Sequence, residues 1–211
     1  MNRIAVRRFH RYAIAAGSLA AAALVAGPLD KTTYHHDAQR TGWNAHETEL
    51  MPRTVSAGRF GQVWQTQQFD SVDGQPPRLF ATPLYVDRVN MAAGQYPAGT
   101  YSVIYAASDV GYVYAINAAK AGAVMPGVVL WRRRLSETKP GGFGALSTPV
   151  VDLQKRRLYA VCAEGSLHHR VHALDLGSGE EASGWPVAID AAAMNAPGSI
   201  AMVRSGFPPD S

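Results

Sequence analysis

The sequence predicts an all-β fold, arranged as a partial β-propeller with about two recognisable sheet units. Three observations lead there. A block of short strands occurs twice, each copy opening on Thr-Pro and closing on Ala-x-Asn or Ala-x-Asp. A Trp follows each copy, Trp131 and Trp185, and Trp64 stands before the first. Turn residues punctuate the chain at short intervals, and helical periodicity is nearly absent after the first thirty residues. Self-similarity at such a period marks stacked units that cannot bury their apolar faces alone. A radial repeat of small sheets satisfies that need.

The first copy reads Ala81-Thr82-Pro83-Leu84-Tyr85-Val86-Asp87, then Ser102 to Ser108, then Tyr112-Val113-Tyr114-Ala115-Ile116-Asn117. The second reads Ser147-Thr148-Pro149-Val150-Val151-Asp152, then Arg157 to Ala163, then Arg170-Val171-His172-Ala173-Leu174-Asp175. In chain order, the expected strands begin with Gly61 to Thr66. The next is Arg78 to Val86, where Pro83 imposes a bulge or a sheet edge. Residues 88–100 carry Gly and Pro and read as a loop inserted into the first copy. Residues 101–107 and 112–117 pair as a hairpin around Asp109-Val110-Gly111. Val128 to Trp131 closes the first unit. Strands 147–152, 157–163 and 168–175 repeat the pattern, with Gly177-Ser178-Gly179-Glu180 as a turn and Trp185 to Ile189 as the closing strand.

The ends of the chain read differently. Arg3, Arg7, Arg8 and Arg11 precede an Ala-rich apolar stretch, the layout of a secretory signal. Residues 1–29 are therefore expected to be a signal peptide or an uncleaved N-terminal anchor. Cleavage fits either Ala21-x-Ala23 or a cut after Ala26, and Arg7-Arg8-Phe9 hints at the twin-arginine route. Such a start implies a periplasmic or secreted protein, touching a membrane only if the segment is retained. Residues 30–58 form an extended lead-in, in which His35-His36-Asp37 reads as a hydrogen-bonded clamp onto the sheets. Residues 59–211 hold the incomplete repeats.

Charge excludes one class of partner. The formal net charge is +4, with 20 basic and 16 acidic side chains. Setting aside the four leading arginines leaves the remainder neutral, without the basic face of a nucleic-acid binder. Arg132-Arg133-Arg134 reads as a solvated strand edge. Cys162 is the single cysteine, and its apolar strand predicts a buried, inert thiol. His168, His169 and His172 lie on one strand, where 168 and 172 share a face and 169 takes the other. Two histidines so spaced make a poor chelate, so a polar strand face is expected. The sequence carries no phosphate loop, zinc spacing or nucleophile elbow.

Ala173-Leu174-Asp175-Leu176-Gly177-Ser178-Gly179, with Trp185 following, resembles the tryptophan-docking repeat of the quinoprotein-type propeller family. Ala115-Ile116-Asn117 with Gly122 and Trp131 resembles it more loosely, with Asn in place of Asp. The lead-in from His35 to Gly42 is also similar to the entry segment of exported bacterial members. The resemblance implies structural roles for Trp64, Trp131, Trp185, Asn117, Asp175, Gly122 and Gly179. A docked Trp brings a large flat apolar surface between neighbouring sheets, and the Asp or Asn bonds nearby backbone groups at a Gly turn.

For family enzymes the resemblance implies pyrroloquinoline quinone held with calcium, which takes hard oxygen ligands, and an Asp base. No residue of this chain matches that metal site or base, so no catalytic residue is assigned. Propellers have at least four units of about forty residues each. The chain is therefore expected to be the N-terminal part of a longer propeller or to close by self-association. Two functions follow: a non-catalytic binding or scaffold module taking a protein or small-molecule ligand in the cell envelope, or part of a quinone-dependent dehydrogenase acting on alcohols or sugars.

Overall fold

A computed structural model describes residues 27–189 apart from 28, 38, 56–57, 59, 137–143 and 165–167. The expected signal segment falls almost wholly outside the described residues. So do the glycines at 141 and 142 and the whole segment after 189.

The described chain is all-β, with two four-stranded antiparallel sheets and no helix. The first sheet holds β1 (Leu84–Met91), β2 (Gly99–Ala107), β3 (Tyr112–Asn117) and β4 (Val129–Arg134). The second holds β5 (Val150–Asp152), β6 (Arg157–Glu164), β7 (His168–Asp175) and β8 (Val187–Ile189). Both run as meanders, β1-β2-β3-β4 and β5-β6-β7-β8. Each strand thus pairs with its neighbour in sequence, as short turns dictate.

Registers show why one face of each sheet is apolar. Leu84 pairs with Tyr105 and Val86 with Val103, and all four are buried. Strict alternation would then turn Val89 and Met91 outward. The register shifts between Val86 and Val89, and Arg88 takes a positive φ of 54°. The extra residue returns Val89 and Met91 to the buried face. This bulge lets β1 run to Met91, well into the stretch 88–100 expected as a loop. A second shift between Ala115 and Ile116 in the β3–β4 ladder places Trp131 opposite Ala115.

The main core lies between the sheets. It joins Leu84, Val86, Val103, Tyr105, Val113 and Ala115 of the first to Val151, Leu158, Ala160, Cys162 and Leu174 of the second. The two Thr-Pro corners meet there, with the Thr82 amide donating to Thr148 Oγ1 at 3.0 Å.

Residues 61–66, expected as the first strand, form no strand. They belong to an irregular segment whose Trp64 and Phe69 pack on the opposite face of the first sheet, against Ala106, Tyr114 and Ile116. Phe69 stacks on Tyr114 at 4.3 Å, the Asp70 amide donates to the Tyr114 hydroxyl at 3.0 Å, and Arg132 pairs with Asp70 at 2.8 Å. Side-chain packing holds this segment where ladder bonds would hold a strand.

The lead-in also differs from expectation. Its attachment is made by Asp30 to Thr32. Lys31 exchanges backbone hydrogen bonds with Tyr85 at 2.8 and 3.1 Å, and the Val151 amide donates to Thr32 O at 2.8 Å. Asp30 accepts from the Asp87 amide at 2.7 Å. The lead-in thereby ties the first strand of each sheet together. The hydrogen bonds that shape the turn at His35 and Asp37, by contrast, are local. Asp37 accepts from the Thr41 amide and hydroxyl, His35 Nδ1 meets Arg40 O at 3.2 Å, and the Gly42 amide donates to His35 O. These residues close their own turn.

Candidate functional site

The junction between the sheets gathers three of the residues that the repeat pattern singles out, Trp131, Asp175 and Gly179. β7 ends at Asp175, whose carboxylate organises the turn that follows. Its Oδ1 accepts from the Gly177 and Ser178 amides at 2.9 and 3.0 Å, and Oδ2 accepts from Arg157 at 3.0 Å. The Gly179 amide closes the turn on Asp175 O at 2.9 Å, at a φ of 70° that favours glycine. Trp131, from β4 of the other sheet, docks onto this turn. Its indole N–H donates to Leu176 O at 3.0 Å, and a β-carbon on Gly179 would meet its ring at 2.6 Å. The Tyr105 hydroxyl donates to the same carbonyl at 2.8 Å, and its ring lies 5.8 Å from that of Trp131. Burial, with the Asp175 charge second, pushes the Tyr105 phenol well above its usual range, so it remains a donor.

Asn117 holds the equivalent place in the first sheet. The Gly127 amide donates to Asn117 O at 2.8 Å, and the Asn117 amide donates to Val128 O, as Asp175 does to Glu180 O. Gly127, with a φ of 86°, is therefore the counterpart of Gly179. Gly122, the residue chosen from sequence, has open space around it. Six further residues separate Asn117 from its turn glycine, and that insertion hid the match. The signal was present as Gly127-x-x-x-Trp131. The same insertion explains why Asn stands where the second copy has Asp. Its side-chain amide donates to Val124 O at 3.2 Å and Met125 O at 2.9 Å, whereas Asp175 meets amides. A loop presenting carbonyls needs a donor, and a turn presenting N–H groups needs an acceptor.

At Gly127 a β-carbon would meet the Gln65 carbonyl first and Trp64 Cε3 next, at 3.2 Å, so Trp64 lies beside this turn while the Gln65 backbone makes the closest approach. Trp185 lies beside Tyr159 at 5.5 Å, reproducing the Trp131–Tyr105 pair.

A cavity of about 220 Å³ opens beside the junction, lined by Met91, Tyr96, Tyr101, Leu130, Trp131 and Ser178 among others. Tyr96, Tyr101 and Trp131 give it an aromatic lining, and the 92–97 loop forms part of its wall. Elsewhere, His172 is buried with Nδ1 2.8 Å from Glu181 Oε2, while Glu181 Oε1 accepts from the Ala173 amide at 2.7 Å. His168 and His169 are exposed, so the three histidines do not converge. The Glu181 partner, nine residues away across a turn, was not visible in the sequence. Burial, with Glu164 second, pushes the Cys162 thiol up to about 11, as befits an unreactive core residue. Among the described residues no three His, Cys, Asp or Glu side chains gather to hold a metal. Comparison of the chain with family models, with curated proteins and with solved structures gives no match.

Proposed function

We propose that this chain is a section of a quinoprotein-like β-propeller acting as a non-catalytic binding or scaffold module of the cell envelope. The observation that carries this reading is the docking of Trp131 onto the Leu176 carbonyl and Gly179 of the following sheet. Two meanders in tandem, each closed by an Asp or Asn turn and a Trp, are the units from which a propeller is assembled. The junction is devoted to packing. Tyr105, Trp131 and Asp175 spend their polar groups on its turn and on Arg157, and among the described residues no nucleophile, base or acid there is set against an open space. Ligands would meet the loops and the 220 Å³ cavity at the junction. The Arg-rich, Ala-rich start supports export.

The test is titration of the purified chain with pyrroloquinoline quinone and calcium, followed by absorbance and tryptophan fluorescence. The module reading expects no calcium-dependent change. A saturable, calcium-dependent spectral shift would overturn it in favour of a quinone-dependent dehydrogenase.

A further inference from the structure

The second sheet carries an apolar face with no counterpart packed on it among the described residues. Tyr159, Val161, Val171 and Ala173 share that face by register, with Val150 and Val187 opposite Tyr159 and Val171. Leu84 and Tyr105, the first-sheet matches of Val150 and Tyr159, pack against the second sheet. Leu84 is 0% exposed there, whereas Val150 is 47% exposed. The Tyr159–Trp185 pair has the spacing of Tyr105–Trp131.

The far side of the first sheet is the complement. Ile104, Ala106, Tyr114 and Ile116 occupy the places that Leu158, Ala160, His172 and Leu174 occupy on the second sheet's docked side. Gly127 there stands for Gly179. The described sheets are thus bounded by two surfaces that correspond by register to the two sides of their internal interface, and surfaces so related can join copies head to tail.

We infer that a second copy of this chain docks the Tyr159–Trp185 face of one molecule onto the Ile104–Tyr114 face of the next, with residues 64–70 as a displaceable plug. Continuity with the internal interface identifies the occupant. The incoming Trp185 meets Gly127 as Trp131 meets Gly179. That seat is held in the single chain by Trp64 and Phe69, on a segment that makes no strand. The plug competes with the second copy, so association is weakened until it leaves. The inference rests on the tandem-repeat reading and not on the absence of catalysis.

Sedimentation velocity on the full chain tests it, with circular dichroism confirming the fold of each variant. The doubly substituted plug, Trp64→Ala with Phe69→Ala, is expected to associate at least about tenfold more tightly than wild type, a change of about 1.4 kcal/mol. Val161→Glu, on the free face, is expected to lose association by at least the same factor. Mixing Val161→Glu with Ile104→Lys, each alone impaired, restores a heterodimer, because one keeps its back face and the other its front. If Ile104→Lys fails to fold, Val161→Glu carrying the two plug substitutions is mixed with wild type instead: the variant offers an open back face and no front, wild type supplies the front, and a heterodimer is again expected. A monomer in both wild type and the plug variant at about 100 μM, near the range of weak association, overturns the inference. So does association by Ile104→Lys alone, which would mean two like faces meeting. Neither outcome touches the quinone titration, whose positive result would in turn leave the head-to-tail contact standing.

Discussion

The indole of Trp131 occupies the space that a side chain at position 179 would need. A β-carbon on Gly179 would sit 2.6 Å from Cε3 of that ring. One residue ends the first sheet, the other turns the second, and their contact joins the two copies of the repeat.

Gly179→Ala should therefore destabilise the chain by about 2–4 kcal/mol, since overpacking adds to the strain of a left-handed backbone. Gly122→Ala, at a φ of 58° with open space around it, should cost only about 1 kcal/mol, from strain alone. Urea denaturation of the two variants measures the difference. Equal losses would remove Trp131 from the account.

Tyr105 and Trp131 donate to one carbonyl, that of Leu176. Tyr105→Phe should cost about 1 kcal/mol, because the carbonyl keeps its second donor. Trp131→Phe likewise leaves the Tyr105 hydroxyl in place but also shrinks the docked surface, and about 2 kcal/mol is expected. The double variant, which leaves the carbonyl without either donor, should lose more than the sum. Strict additivity in a thermal or urea double-mutant cycle would contradict the shared acceptor.

Asn117→Asp tests why the two copies differ at this position. The new carboxylate would face the Val124 and Met125 carbonyls in a site with no exposure. A loss of about 2–4 kcal/mol at neutral pH is expected, because a buried charge would lack a donor. Lowering the pH should recover part of it as the acid protonates and donates. A variant as stable as wild type at pH 7 would mean that the side-chain amide is not oriented as described.

These particulars show what the sequence could and could not reveal. Hairpins with local pairing were legible: the expected strands 101–107, 112–117 and 168–175 fall almost on β2, β3 and β7, because alternation and a short turn specify them. Strand β1 was misread beyond Val86, since a bulge at Arg88 inverts the alternation on which the reading depends. Residues 61–66 carry strand-like composition, yet their partners lie some fifty residues away, and tertiary packing settles their form. Of the candidate residues, Asp175, Gly179 and Trp131 stand together at the sheet junction. Gly127 was obscured by the insertion after Asn117, and the His172–Glu181 pair depends on a turn whose course the sequence does not specify.

Cys162 offers a pH test with a defined sign. Burial raises its thiol from an ordinary 9.0 to about 11, so the folded state holds the proton more tightly than the unfolded one. Its contribution to stability is complete below pH 9 and is lost as pH rises through 11. Iodoacetamide at pH 8 should leave the native chain unlabelled and modify it fully in denaturant. Rapid native labelling would contradict a buried thiol.

The most direct measurement is hydrogen exchange at the indole N–H groups, followed by NMR in dilute solution where copies do not meet. The docked sheet junction requires that the Trp131 indole N–H, bonded to Leu176 O, exchange far more slowly than those of Trp185 and the exposed Trp43. Protection at Trp131 that vanishes in Gly179→Ala would support the account fully. Exchange at Trp131 as fast as at Trp43 would contradict it, because the two sheets would then not be joined through this contact.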